Sequence, residues 1–284
     1  MNTVESGQLP WLHVVVVLYK TPAQESTTLR ALAMQSERAP NISMTIWDNS
    51  PQSVYESATF EGLKGCFQAV EYVHAPENTP LSILYNRVIK ANPADIYLLL
   101  DQDSDLPATY LETLHETSRS RPDILLFAPK VVANGQIVSP GQFGRIRGKL
   151  LSGIEPGLRS AEKATVVTSG LALRRALFFQ FDLWFNEKLW LYLIDTDFFL
   201  RFRSKIVSYW VLSEEINHGS ALREELTLDQ QIFRFRNLRW SYLTMMRSQR
   251  KAMAPAYGYA LAMSLSRAIK QRSATFLFGW NKNR

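Results

Sequence analysis

Five apolar residues, Ile96 to Leu100, run without interruption into Asp101-Gln102-Asp103, and no other feature of the chain constrains its fold so strongly. A short unbroken apolar run that stops at acids reads as a central strand covered on both faces, which requires a sheet flanked by helices on each side. Ligands of such open α/β sheets bind beyond the carboxyl ends of the strands, so both carboxylates point into the expected cleft. Hard divalent cations take oxygen ligands, and Mg2+ commonly binds one or two carboxylates while substrate phosphates complete its shell. A strand-end turn with solvated acids is the simpler account of this pair taken alone; its company elsewhere in the chain reverses that preference.

The first two-thirds of the sequence alternates apolar runs with helical patterns, as a parallel sheet requires. Strands are expected at Val14–Leu18, Ile42–Trp47, Gln68–Val73, Ile96–Leu100, Ile124–Ala128 and Ile206–Leu212. Helices are expected from Pro22 to Gln35, opened by Thr21-Pro22 as cap and first-turn proline, and at Leu81–Ala91, Tyr110–Arg119 and Asp195–Arg203. Asn134-Gly135 and Pro140-Gly141 are turn signals for short antiparallel strands, and the Gly-rich, basic stretch from Arg145 to Lys163 reads as a mobile loop near the cleft. Thr168-Ser169-Gly170 is a turn whose hydroxyls and glycine permit close approach of a ligand.

At 284 residues and 46% hydrophobic, the chain can bury a sizeable core as one large α/β domain or as a domain with an appendage. It has no run of about 18 apolar residues, and Met1 to Pro10 lacks the basic and apolar regions of a signal peptide, so a cytoplasmic location is expected. The single Cys66 cannot form an internal disulfide and has no Cys or His cluster around it, which makes it a structural thiol and argues against a zinc site.

Charge divides the chain at residue 230. Beyond it lie eleven Lys and Arg and no acid, against 21 basic and 26 acidic residues before it. The expected division is therefore a catalytic domain over 1–229 and basic amphipathic helices over 230–284. That basic segment also carries Phe233, Trp240, Tyr242, Phe276, Phe278 and Trp280, a mixture suited to an anionic membrane surface or to packing on the preceding domain. Nucleic acid is not expected as a partner, since no nucleic-acid-binding motif accompanies the charge.

A second acidic cluster, Ile194-Asp195-Thr196-Asp197 to Arg201, opens a helical pattern in an aromatic-rich stretch. Asp197 and Arg201 form an i,i+4 pair on one helix face, and Asp195 can serve as the cap. An acid among Trp184, Phe185, Trp190 and Tyr192 also has a raised proton affinity through desolvation, which suits a general base acting on an alcohol.

The order of Asp48-Asn49-Ser50, Asn78 to Asn86, Leu100-Asp101-Gln102-Asp103-Ser104, Thr168-Ser169-Gly170, Ile194 to Arg201 and His218-Gly219 resembles the inverting family 2 glycosyltransferases of the GT-A fold. The likeness is greatest to bacterial rhamnosyltransferases of surface-polysaccharide (O-antigen type) assembly and covers about residues 12 to 220. The resemblance implies a Rossmann-like nucleotide-sugar-binding fold with a mostly parallel sheet. It also implies that Asp48 contacts the nucleotide base, Asp101 supports the sugar or ribose side, and Asp103 ligates a divalent metal, Mg2+ or Mn2+, on the diphosphate. Asn78 and Asn86 match polar positions of the nucleotide pocket, and Ser169 and Gly170 belong to the donor site. Asp195 falls at the catalytic base, Asp197 and Arg201 complete its helix motif, and His218 matches a residue that meets metal or diphosphate.

The activity so implied is single-displacement transfer, with inversion, of L-rhamnose from dTDP-L-rhamnose to a lipid-linked saccharide at the inner membrane face. Two other readings stay open: the same fold using UDP-galactofuranose or a UDP-hexose, and a catalytically silent membrane scaffold that binds a nucleotide.

Overall fold

The computed structural model describes residues 10–35, 39–218, 226–250 and 252–280. The first half runs β1 (Leu12–Leu18), α1 (Thr27–Ala33), β2 (Ala39–Asp48), α2 (Ser57–Cys66), β3 (Phe67–His74), α3 (Leu81–Ala91), β4 (Ile96–Asp101), β5 (Ser104–Asp105), α4 (Tyr110–Ser120) and β6 (Leu126–Ala133). Short strands follow: β7 (Gln136–Ser139), β8 (Gly141–Phe143), β9 (Gly148–Lys149), β10 (Gly157–Ser160), β11 (Ala164–Thr165) and β12 (Leu171–Arg174). The chain closes with α5 (Ala176–Phe179), α6 (Ile194–Phe202), β13 (Ser208–His218), α7 (Leu228–Ser248) and α8 (Met253–Lys270).

The main sheet has the order β10-β13-β6-β12-β4-β1-β2-β3. β3, β2, β1 and β4 are parallel, β12 is antiparallel to β4 and β6, and β13 again runs parallel to β6. Burial explains the sequence pattern: every residue of β1 is buried, and alternate side chains enter opposite cores. Val15 and Val17 join Leu99 and Tyr97 against α3, α5 and α6, while Val14, Val16 and Leu18 join Leu98 and Leu100 against α1, α2 and α4. A strand with a core on each face stays largely apolar, the buried His13 of β1 being satisfied by Ser43 and Thr45 of β2, and the acids begin where the strands leave the sheet.

Several expectations meet corrections here. The helix expected from Pro22 begins at Thr27, because Ser26 is its cap, accepting from the Leu29 amide at 3.2 Å, and a short 3-10 turn precedes it. The stretch 145–163 contains β9 and β10, the latter paired with β13 through Ser160 opposite Ser208. Tyr242, Leu243, Met245, Met246, Ala256 and Ala260 of α7 and α8 belong to the same core as the sheet. Tyr242 and Phe276 are therefore interior and cannot meet a bilayer. Arg239, one of the eleven C-terminal cations, is also interior: its guanidinium donates to the carbonyls of Phe276, Phe278 and Gly279, each at 2.7 Å, and lies 4.1 Å from the Trp280 ring centre.

Candidate active site

The parallel strands end on one line. Leu18 of β1 stands opposite Asp48 of β2, Asp48 opposite His74 of β3, and Val17 opposite Asp101 of β4, so the two acids flank the end of β1. Asp48 is wholly buried and accepts hydrogen bonds from the Ser50 amide (2.8 Å), the Val54 amide (2.9 Å) and the Tyr72 hydroxyl (2.5 Å). Burial is the largest single influence on this carboxyl and raises its pKa, but the hydrogen bonds from Ser50, Tyr72 and Val54 together outweigh it and hold the pKa below the ordinary value. Asp48 thus orders the loop that follows β2.

Asp101 and Asp103 sit in a turn stapled from both sides. The Thr28 hydroxyl donates to the Asp101 carbonyl (2.5 Å) and accepts from the Ser104 amide (2.8 Å). Ser26 donates to the Gln102 carbonyl (2.7 Å), and the Gln102 side chain accepts from the Tyr19 amide (2.7 Å). Gln102, Ser26 and Thr28 were not distinguishable in sequence from ordinary cap and turn residues, yet they fix the direction of the acidic turn. The Asp101 carboxylate accepts a short hydrogen bond from Ser169, which draws the Thr168-Ser169-Gly170 turn into the same site. Gly170 itself meets protein, not open cleft: a Cβ there would strike Ile216, Pro129 and Tyr110, and its φ of +78° is left-handed.

Asp195 lies in the first turn of α6, whose cap is Leu193 in a left-handed conformation (φ 61°), so Asp195 is not the cap residue. It accepts from the Thr196 amide at 2.6 Å and the Thr196 hydroxyl at 3.3 Å. Desolvation by surrounding protein raises its pKa to about 6; the Thr196 hydrogen bonds oppose this and the charge of Asp101 adds to it. The two acids, 94 positions apart in sequence, therefore share one electrostatic site. Tyr85 of α3 completes it. Its hydroxyl is buried with no well-formed hydrogen bond among the described residues, and burial first, then the charges of Asp101 and Asp195, push its pKa well above the ordinary value, with Thr168 opposing. Sequence reasoning missed Tyr85 because an aromatic residue on the apolar face of a helix is ordinarily core.

On its other side, α6 is tied to α7. Asp197 is fully buried, pairs with Arg201 at 2.9 Å and accepts from the Ser248 hydroxyl at 2.8 Å and the Gln249 amide group at 3.1 Å. Beside this junction a cleft of about 430 Å³ is lined by Lys188, Trp240, Thr244, Arg247 and Ser248. Asn86 forms the opposite support: its amide donates to the Phe185 carbonyl and Glu187 Oε1 (both 2.9 Å) and accepts from the Phe185 amide at 2.9 Å, which fixes the segment leading to α6. Asn86 thereby braces the segment that leads into α6. Asn78 stands before α3 with φ 54°, in the turn closed by its amide donating to the Ala75 carbonyl at 3.0 Å.

Among the described residues no three His, Cys, Asp or Glu side chains gather as a metal cage. The donor set instead fits a cation shared with a bound diphosphate, since Asp103 offers hard carboxylate oxygens at the rim of the turn. The β5–β13 ladder sets His218 opposite Ser104, so its backbone arrives next to Asp103. The His218 side chain and Gly219 lie outside the described residues.

No protein-family model matches the chain, and no curated protein matches it in sequence. Solved structures do resemble it. TarS 1-349 from S. aureus in complex with UDP-GlcNAc has a TM-score of 0.59 at 15% identity, over 91% of this chain and 72% of that one. GalNAc-T7 with UDP, GalNAc and Mn2+ has a TM-score of 0.60 at 11% identity, over 85% of this chain and 48% of that one. A further TarS structure matches with a TM-score of 0.56 at 14% identity over 82% of this chain, which spans only 43% of that one. These likenesses establish the fold: a curled, mostly parallel GT-A sheet with C-terminal helices added.

Proposed function

We propose that the chain is an inverting glycosyltransferase that moves a sugar from a nucleotide diphosphate donor to a hydroxyl of a saccharide acceptor. The reading rests on a GT-A fold in which Asp101, held by Ser169, ends β4 and Asp195 opens α6, where desolvation, with a smaller contribution from the charge of Asp101, raises the Asp195 pKa to about 6. A base with that pKa is ionised at neutral pH and still basic enough to take a proton from an attacking alcohol.

In this reading Asp195 accepts the acceptor hydroxyl's proton as its oxygen bonds to the anomeric carbon. The bond to the diphosphate breaks on the opposite face, its electron pair leaves with the diphosphate, and configuration inverts. Asp101, held by Ser169, orients the sugar or ribose, and the loop ordered by Asp48 receives the base. Asp103 with His218 would hold Mg2+ or Mn2+, which supplies positive charge to the departing diphosphate. The leaving group then needs no proton, unlike that of a glycoside hydrolase.

The donor proposed is dTDP-L-rhamnose, supported by the sequence resemblance. A UDP-hexose or UDP-galactofuranose is the second reading, favoured by the UDP compounds bound to the similar structures. The acceptor proposed is a lipid-linked saccharide of bacterial surface-polysaccharide assembly, met at the inner face of the cell membrane by a peripheral enzyme. Support comes from the cleft beside α6, where Trp240 offers a ring for a sugar face and Lys188 and Arg247 offer charge for a phosphate. Thermal shift with dTDP and UDP, each with and without Mg2+ or Mn2+, tests the reading. Metal-dependent stabilisation by dTDP above UDP supports rhamnose, the reverse supports the second reading, and no response to either contradicts both. Donor turnover then separates an enzyme from a silent scaffold.

A further inference from the structure

We infer that α8 is the surface by which this protein docks on an anionic lipid bilayer. Tyr257, Leu261, Leu265 and Ile269 recur every fourth residue along α8 and are 43%, 47%, 45% and 77% exposed. Residues at that spacing lie above one another on a helix, so the four form a single apolar stripe facing outward. Ala256, Ala260 and Ser264 bind the same helix to the protein on its inner side and are fully buried. The stripe is thus presented by a helix already fixed in place, and no segment has to unfold to expose it. Phe278, 62% exposed, lies in the segment that follows α8.

Charge selects the occupant. The last turn of α8 carries Arg267 and Lys270, Arg272 follows, and all three are exposed. No acid occurs after Asp229. A second copy of this chain laid along the stripe would bring cations against cations, whereas an anionic lipid surface accepts apolar side chains and cations together. No helix of the described residues is long and apolar enough to cross a membrane, so the contact is interfacial. The surface is narrower than the one expected of residues 230–284 as a whole, since two of the aromatic residues named for insertion, Tyr242 and Phe276, are interior. The inference stands on α8 and does not depend on the glycosyltransferase reading.

Flotation of the full-length protein with vesicles of phosphatidylcholine, with and without phosphatidylglycerol, tests it. Wild type is expected to float only with phosphatidylglycerol and less as salt rises. The exposed-face variants Leu265→Asp/Ile269→Asp and Arg267→Glu/Lys270→Glu/Arg272→Glu should each retain the wild-type melting temperature and lose binding at least about tenfold, the scale expected when several cations or apolar groups are withdrawn from such a surface. Wild-type-like flotation of the Leu265/Ile269 variant, or no flotation of wild type, overturns the inference. A dimer in sedimentation equilibrium that Leu265→Asp/Ile269→Asp dissolves, without vesicle binding, would instead make the stripe an interface between copies.

Discussion

The Ser248 hydroxyl at the end of α7 donates to Asp197 Oδ1 at 2.8 Å, two residues from the proposed base Asp195, so the C-terminal helices are built into the frame of the site. Deletion of residues 230–284 removes Tyr242, Leu243, Met245 and Met246 from the main core as well as this contact. The deleted protein should show no cooperative thermal unfolding, because each lost large side chain costs about 2–5 kcal/mol. A soluble truncated protein with a sharp transition and intact nucleotide binding would show that the helices are an independent appendage.

Asp48→Ala should destabilise the protein by about 3 kcal/mol or more, since it leaves the Ser50 and Val54 amides and the Tyr72 hydroxyl without their acceptor. Burial, followed by the hydrogen bond to Asp48, pushes Tyr72 up to about 12, so it remains a neutral donor throughout the working pH range. The folded-state pKa of Asp48 is depressed, so its contribution is present above the unfolded value near 3.8 and is lost as pH falls through the lower folded value. Urea titrations of both proteins at several pH values read this directly: the difference between them should shrink on acidification.

Asp195 has the opposite sign. Its folded pKa is raised from 3.8 to about 6, so the folded state favours the proton, and the associated stability is full below 3.8 and lost as pH rises through 6. Asp195→Asn should therefore stabilise the protein at pH 8 by about 1–2 kcal/mol, a figure reduced for the cleft's access to solvent. The gain should vanish in acid. Differential scanning calorimetry at both ends of the range checks it, and a destabilised variant at pH 8 would show that the charged carboxylate is satisfied in the fold.

Asp103→Ala should leave the melting temperature of the free protein unchanged and remove the metal-dependent part of nucleotide affinity. A half-buried carboxylate at the rim of the turn lies outside the hydrophobic core, whereas a cation shared with diphosphate loses its protein anchor. Isothermal titration with dTDP, with and without Mg2+, separates the two, and metal-dependent affinity equal to wild type would remove Asp103 from the cation's shell.

The parallel half of the sheet was legible because residues 14–18 and 96–100 are buried on both faces, and a strand so placed leaves an unbroken apolar run. Leu81–Ala91 was legible as a helix for the complementary reason, its apolar residues recurring on one face. The helix Ser57–Cys66 was not, since only Phe60 and Leu63 of it are buried and two glycines interrupt the pattern. β9 and β10 were missed because strands of two and four residues, largely exposed, carry no periodicity. Of the proposed site, Asp101 and Asp103 stood out in sequence as acids that close an apolar strand, and Asp195 as an acid that opens a helix in an aromatic stretch. Asn86 and Gly170 were legible as special positions, and each has a structural task besides that no local pattern shows: the first braces the segment before α6, and the second makes room for Ile216, Pro129 and Tyr110. Tertiary neighbours of that kind leave no local trace.

The most direct measurement of the central claim is the pH dependence of donor turnover in wild type, set beside donor affinity and turnover in Asp195→Asn. The account predicts a wild-type rate that falls below an apparent pKa near 6, as the base becomes protonated, and an Asn variant that binds the donor normally but transfers sugar roughly 10²-fold or more slowly at every pH. Normal transfer by Asp195→Asn, with the acid limb unchanged, would contradict it.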